Sequence, residues 1–254
     1  MTPKWASRYE RKPGRWVFEP TDEYRDIGDQ IKKATRKVWR PPPYYYHLRK
    51  GEHVKALQRH VRNTYFVRFD IEDFFGRVNQ SRVTRCLKEY FSYAEARRMA
   101  LDSTVRHPIE KGRWVLPYGF LQSPILASLA LSKSRVGSVL DRLHKTQGMS
   151  VSVYMGDIIA SCKDLAKLQE ACKALTLAAN QAGLGFNAAK CEGPATAITA
   201  FNVELTHASL AIVAKRLEEF VYELQLGSEQ QRRGILGYVN SVNVDQAKKL
   251  RTSP

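Results

Sequence analysis

The chain has 254 residues, 43% hydrophobic and 26% charged, with a formal net charge of +16 and a pI near 9.8. This is the composition of a soluble globular protein of one large or two to three small domains, and its basic excess points to a polyanionic partner, nucleic acid before anionic membrane. No apolar run approaches the ~20 residues that span a bilayer, and Met1-Thr2-Pro3-Lys4-Trp5 is not followed by the apolar core of a secretory leader, so a cytoplasmic location without membrane contact is expected.

Residues 1–50 hold 13 Lys or Arg against 6 Asp or Glu, with Trp5, Trp16, Trp39 and Tyr44-Tyr45-Tyr46 interleaved. Cations among aromatics suit a surface that follows a nucleic-acid backbone and stacks bases; an arm whose aromatics pack on the domain fits the same pattern. An amphipathic stretch from Tyr24 to Trp39 stops at Pro41-Pro42-Pro43, which acts as a rigid joint. His47 to Val61 is a further basic segment, with Leu57 and Val61 on one helical face.

From Tyr65 the pattern changes. Tyr65-Phe66-Val67-Arg68-Phe69 reads as a buried strand ending at Asp70. Ser81 is placed to cap a helix carrying Val83, Leu87, Tyr90 and Phe91, and residues 92–112 read as helical and basic. Trp114 to Gly119 forms a short strand and turn. Ser123-Pro124 then starts one long apolar helix running from Ile125 to Leu143, closed by Gly148.

Val151 to Ser161 alternates apolar and small polar residues around Gly156-Asp157, the pattern of a tight β-hairpin with a carboxylate at its tip. Asp164 caps the next helix, which Gly183 and Gly185 close. Ala197 to Leu205 reads as one strand, followed by a helix through Leu217, Phe220, Val221 and Leu224 that stops at Gly227, with Ser228 capping another. The order predicts an α+β sheet with helices on one face and a small helical end. Cys86, Cys162, Cys172 and Cys191 show no metal-ligand spacing and are expected as reduced thiols.

Two strand-borne aspartates, Asp70 and Asp157, are the residue type that holds a pair of divalent ions roughly 4 Å apart for nucleotidyl transfer. Strand-end aspartates also simply cap turns. Four ordered stretches resemble the reverse transcriptase palm. Asp70-Ile71-Glu72-Asp73-Phe74-Phe75 is similar to the family's aspartate followed by paired aromatics. Leu116-Pro117-Tyr118-Gly119-Phe120-Leu121-Gln122-Ser123-Pro124 resembles its Leu-Pro-Gln-Gly…Ser-Pro motif. Tyr154-Met155-Gly156-Asp157 resembles the Tyr-x-Asp-Asp hairpin, and Gly183-Leu184-Gly185-Phe186-Asn187-Ala188-Ala189-Lys190 resembles Gly-Leu-x-x-Asn-x-x-Lys. Compact bacterial enzymes, those of retrons, group II introns and antiphage defence, are the most similar in length and spacing.

The resemblance implies a right-hand polymerase: residues 1–64 as N-terminal arm and fingers, 65–205 as a ferredoxin-like palm with a fingers insertion at about 92–115, and 206–254 as a short helical thumb. It implies templated DNA synthesis with two Mg²⁺ ions and deoxynucleoside triphosphates, on a structured non-coding RNA, giving a DNA product, with a second copy or a protein partner allowed. Asp70, Asp157 and the Ile71 carbonyl would be metal ligands. Phe75 falls at the steric-gate position, though a core ring fits it too. Tyr118, Gly119, Asn187 and Lys190 would border the nucleotide, Gly119 by permitting close backbone approach and Lys190 by its charge, unless it is a solvated turn lysine. Three departures stand out. Tyr118 replaces the usual glutamine, Phe201-Asn202 replaces Leu-Gly in the primer-grip hairpin, and Gly156 occupies the place of the first hairpin aspartate. That last change removes one bridging ligand, with Glu72 the nearest substitute in sequence. An introduced inactivating change, a natural pseudo-polymerase serving as an RNA-binding subunit, and a rearranged ligand set are the three readings it leaves. An RNA-recognition module shares the strand–helix plan, but its aromatic RNP1 pattern is absent.

Overall fold

The computed structural model describes residues 3–252. The chain opens with a hairpin of β1 (Trp5–Lys12) and β2 (Arg15–Pro20), then α1 (Asp22–Val38) and the short α2 (Glu52–Gln58). Strand β3 (Tyr65–Asp70) is followed by α3 (Gln80–Leu87), α4 (Tyr93–Ser103), the two-residue strands β4 (Val105–Arg106) and β5 (Trp114–Val115), α5 (Ser123–Ser132) and α6 (Arg135–Lys145). Next come β6 (Ser150–Tyr154), β7 (Asp157–Cys162), α7 (Leu165–Ala182) and β8 (Glu192–Ala195). The chain closes with β9 (Ala197–Ala200), β10 (Val203–Thr206), β11 (Ser209–Ile212), α8 (Ala214–Leu226), α9 (Glu229–Val242) and α10 (Val244–Thr252).

The central sheet has the antiparallel order β6-β7-β3-β8. Because side chains alternate across a strand, Val67 and Phe69 of β3 share the back face with their β7 register partners Ala160 and Ile158. These four are buried with Val83 and Leu87 of α3, Leu126 and Leu129 of α5, Leu140 of α6, and Leu168 and Leu175 of α7. Phe66, Arg68 and Asp70 lie on the front face with Ser161, Ile159 and Asp157 opposite them. At the lower end of that face Phe66 and Ile159 join Leu57, Ile198, Leu205, Phe220 and Val239 in a second core. That core ties the three-stranded sheet β11-β10-β9 and the C-terminal helices to the central sheet. Its upper end is polar, and there the candidate site lies.

The expected hairpin, the start of α7 at Asp164 and its stop at Gly183, which takes the left-handed conformation, are as the sequence indicates. Several local expectations are corrected. The N-terminal arm is a β-hairpin, unforeseen because β1 is exposed along nearly its whole length and so shows no alternation. Asn79 caps α3 by accepting the Arg82 N–H at 2.8 Å, so Ser81 lies inside the helix. The helix of residues 92–112 ends at Ser103. Ser123 is the first helical residue of α5 and not its cap, although Pro124 sits in the first turn as expected.

The long apolar helix is two. Ser134 caps α6 and donates to the Leu131 carbonyl at 2.7 Å, and a Cβ on Gly137 would stand 2.2 Å from the Ser132 carbonyl oxygen. Only glycine allows α6 to fold back this closely. The strand of residues 197–205 is likewise two, turned at Phe201 and Asn202, which both take positive φ (57° and 60°).

Candidate active site

Asp70 closes β3 and Asp157 opens β7, and the two are register partners on the front face. Directly opposed residues have Cβ atoms about 5 Å apart, so the carboxylates share one patch. Arg68, two positions before Asp70, projects from the same face. Its Nε and Nη2 donate to Asp157 Oδ1 at 2.9 and 2.7 Å, its Nη1 donates to the Thr199 carbonyl at 2.8 Å, and Glu192 lies 3.8 Å away. Lys190 Nζ stands 3.4 Å from both oxygens of Asp70. The Arg68 and Asp157 side chains are only 17% and 21% exposed. Burial raises the Asp157 pKa; Arg68 pulls it back, and the Asp70 charge pushes it up again. Burial wins, so this carboxylate leans on its arginine to stay ionised.

The hairpin turn consists of Met155 and Gly156, not Gly156-Asp157 as the sequence suggests, since Asp157 already pairs with Tyr154 in the ladder. Met155 carries the positive φ, 54°, and Gly156 lies outside the left-handed region. A non-glycine residue held there is strained. A hydrogen-bond relay supports it. The Met155 N–H donates to His47 Nδ1 at 2.9 Å, which leaves His47 Nε2 as the donor to Ser128 Oγ at 2.7 Å, and Ser128 Oγ donates to the Pro124 carbonyl at 2.7 Å. Burial lowers the His47 pKa to about 4, which keeps the ring neutral and able to accept. The Ile71 N–H donates to the Gly156 carbonyl at 2.9 Å, tying the turn to the segment after β3. A Cβ at Gly156 would meet Phe74 Cβ at 3.0 Å and the Ile71 carbonyl oxygen at 3.4 Å. Beside the tip, the rings of Tyr154, His53, Phe201 and Tyr238 form one cluster, with centroids 5.2 Å apart for Tyr154–Phe201, 5.4 Å for His53–Phe201 and 5.6 Å for His53–Tyr238.

The other expected residues are placed differently. Phe75 is 4% exposed and meets the Tyr118 ring edge-on at 4.6 Å, and the Arg15 guanidinium lies 4.8 Å over Tyr118. Tyr118, rather than Phe75, therefore presents the outer ring. Gly119 takes φ 103°, and a Cβ there would stand 2.1 Å from the Phe18 carbonyl oxygen, so its close backbone approach is to β2. Asn187 caps its own turn by accepting the Ala189 N–H at 3.1 Å. Glu72 is ion-paired with Arg77 and does not join the two aspartates.

A family model described as reverse transcriptase (RNA-dependent DNA polymerase) matches residues 11–239. The chain belongs to the reverse transcriptase family. Among solved structures it resembles telomerase from Candida albicans in complex with a TWJ fragment of telomeric RNA, at TM-score 0.57 and 11% identity over 93% of this chain and 53% of that one. It also resembles foamy viral protease–reverse transcriptase in complex with an RNA/DNA hybrid, at TM-score 0.52 and 16% identity over 97% and 30%. Apo telomerase from Candida tropicalis matches at TM-score 0.54 and 12% identity over 90% and 47%. At these identities the likeness is one of fold, and the chain spans about half or less of the length of each of these structures. No curated protein sequence matches it.

Reverse transcriptases work on deoxynucleoside triphosphates with divalent ions, so the donor set of this family member can be tested for fit. Two ions bring four positive charges. Asp70 and Asp157 supply two negative ones, already opposed by Lys190 and Arg68. Among the described residues no group of three or more His, Cys, Asp or Glu is placed to hold a metal ion. The residues present do not fit a two-ion centre. Arg68 and His47 were missed in the sequence. Arg68 was legible, since a residue two places before Asp70 on a strand shares its face; His47 carried no such signal, because its contacts come from residues 81 and 108 positions away.

Proposed function

We propose that this chain is a nucleic-acid-binding member of the reverse transcriptase family whose polymerising centre is incomplete: it holds a template–primer without extending it efficiently. One observation carries the reading. Gly156 stands at the hairpin tip while the remaining hairpin carboxylate, Asp157, is engaged by Arg68. The net charge of +16 supports binding to a polyanion. In this reading residues 1–64 act as fingers, 65–205 as palm and 206–254 as thumb, with a structured RNA as the bound partner. Tyr118, Gly119 and Lys190 border the place a nucleotide would take, with Phe75 buried behind the Tyr118 ring. A reducing, cytoplasmic compartment belongs to the same reading.

The rival reading is a working polymerase with a rearranged ligand set, favoured by the register pairing of Asp70 with Asp157. Primer extension with labelled deoxynucleotides and Mg²⁺ on RNA and DNA templates separates the two, run beside a template–primer binding assay for the natural chain and Gly156→Asp. We expect both proteins to bind, and synthesis to be confined to Gly156→Asp or absent from both. Extension by the natural chain overturns the proposal.

A further inference from the structure

α3 belongs to the helical layer behind the central sheet. Val83, Cys86 and Leu87 are its buried residues. The positions turned away from the core, Ser81, Thr84, Arg85 and Lys88, follow the i, i+3, i+4, i+7 spacing of one helix face. α4 buries Ala96 and Ala100 and carries Tyr93 and Arg97 one turn apart on another side. These two stripes border an open groove of about 420 Å³. Arg85, Lys88 and Arg97 are exposed, and no carboxylate lines the groove. Among the described residues none of the three is in an ion pair, whereas the neighbouring Lys133 and Arg98 each have an acidic partner. Tyr93 is 63% exposed at the groove's edge.

Three uncompensated cations on two facing helices repel one another unless an anion lies between them. We propose that this α3–α4 groove is a second nucleic-acid site, on the opposite face of the sheet from Asp70 and Asp157, that takes a single-stranded segment. The two helices supply what a sequence-tolerant single-strand site needs. Arg85, Lys88 and Arg97 contact successive phosphates, the Ser81 hydroxyl donates to a phosphate oxygen, and Tyr93 offers a ring for one base, while the Thr84 hydroxyl is taken up by the Gln80 carbonyl at 3.0 Å. The stripe from Ser81 to Lys88 runs about 10 Å along α3, at about 1.5 Å per residue, so the contact covers two or three nucleotides. A strand engaged at the front face could thus pass to the back of the molecule and be held at both ends. The groove's chemistry stands whether or not the front site polymerises.

The test is a salt titration of binding by fluorescence anisotropy, with labelled 20-mer oligo-U, 20-mer oligo-dT and a duplex of the same length. The natural chain is compared with the triple variant Arg85→Gln/Lys88→Gln/Arg97→Gln and with Tyr93→Ala and Tyr93→Phe. All four positions are exposed, and matched melting curves show that folding is intact. Each phosphate contact contributes about 0.7 to the log–log salt slope for a single strand, so the triple variant should lose about 2 from that slope. Tyr93→Ala should weaken single-strand binding by roughly tenfold, as loss of one stacked base does, and Tyr93→Phe should restore it. Comparison of oligo-U with oligo-dT tells whether the strand is RNA or DNA. A single-strand slope unchanged in the triple variant overturns the proposal, and so does a slope that falls only for the duplex.

Discussion

Arg68 gives two of its guanidinium hydrogens to a single oxygen of Asp157. The pair occupies the front face of the sheet two residues from Asp70, where a nucleotidyl-transfer centre would need free carboxylate charge. Removing one partner of a mostly buried pair leaves the other charge uncompensated. Arg68→Ala should therefore destabilise the fold by about 2 kcal/mol at pH 8, the buried-pair cost discounted for residual exposure. Burial already raises the Asp157 pKa, and loss of Arg68 raises it further. A raised carboxylate costs stability in full above its folded pKa and nothing below its unfolded one, so the deficit should shrink as the pH falls toward 4. Urea unfolding at pH 8 and pH 4 checks this; an equal deficit at both would show that Asp157 is not the group affected.

Gly156→Asp is expected to fold. Gly156 is outside the left-handed region, and its new Cβ needs only a few tenths of an ångström from Phe74. It adds a third carboxylate beside Asp70 and Asp157. The melting temperature of this variant should rise on adding millimolar Mg²⁺, as binding to the folded state alone requires, while that of the natural chain should not move. Differential scanning fluorimetry with and without Mg²⁺ gives the answer, and an equal shift in both proteins would contradict the donor-set argument.

Gly119→Ala should be among the most damaging small substitutions. The position takes φ 103°, and the added methyl would lie 2.1 Å from the Phe18 carbonyl oxygen. Backbone strain and overpacking together should cost roughly 3 kcal/mol, and the β1–β2 hairpin should loosen first. Chemical denaturation gives the loss, and limited proteolysis near Gly14 locates it.

His47 makes the turn sensitive to acid. Its folded pKa of about 4 lies below the ordinary 6.5, so the unfolded chain binds the extra proton first. Stability is lost as the pH falls from about 6.5 to about 4, by about 3 kcal/mol from this group at 1.36 kcal/mol per pH unit. His60, fully buried between Ser152 and Ser161 and lowered to about 3, acts in the same direction. Stability–pH curves for the natural chain and His47→Gln should differ in slope across that window; parallel curves would refute the assignment.

The four motif stretches made the palm legible because each couples chemistry to a local signal: an alternating strand, a turn, a helix start. The strand of Asp70, the hairpin of Asp157 and the helix from Asp164 to Gly183 needed nothing else. What stayed hidden was set by long-range contact. Nothing local in Ser132 to Gly137 announces that α5 ends and α6 folds back over it, since the small side chain at Gly137 matters only for a backbone five residues away. Phe201 at positive φ defies its own preference because its ring is held by His53 and Tyr154. At the site, the sequence draws attention to Gly156 at the hairpin tip but not to the arginine that engages Asp157.

The ring cluster at the hairpin has a mechanical consequence. Tyr154 belongs to β6, His53 to α2, Phe201 to the β9–β10 turn and Tyr238 to α9. One joint of four side chains therefore connects the hairpin tip, the basic N-terminal segment and the C-terminal helices. A nucleic acid that shifts α9 must either unstack Tyr238 from His53, breaking the 3.2 Å His53 Nε2–Tyr238 hydroxyl hydrogen bond, or drag Tyr154 with it. The position of α9 and the set of the hairpin tip are thereby coupled through His53, which meets both Tyr238 and Tyr154. A strand held at the C-terminal helices would bear on the hairpin through these rings as well as through the second core that holds Ile159.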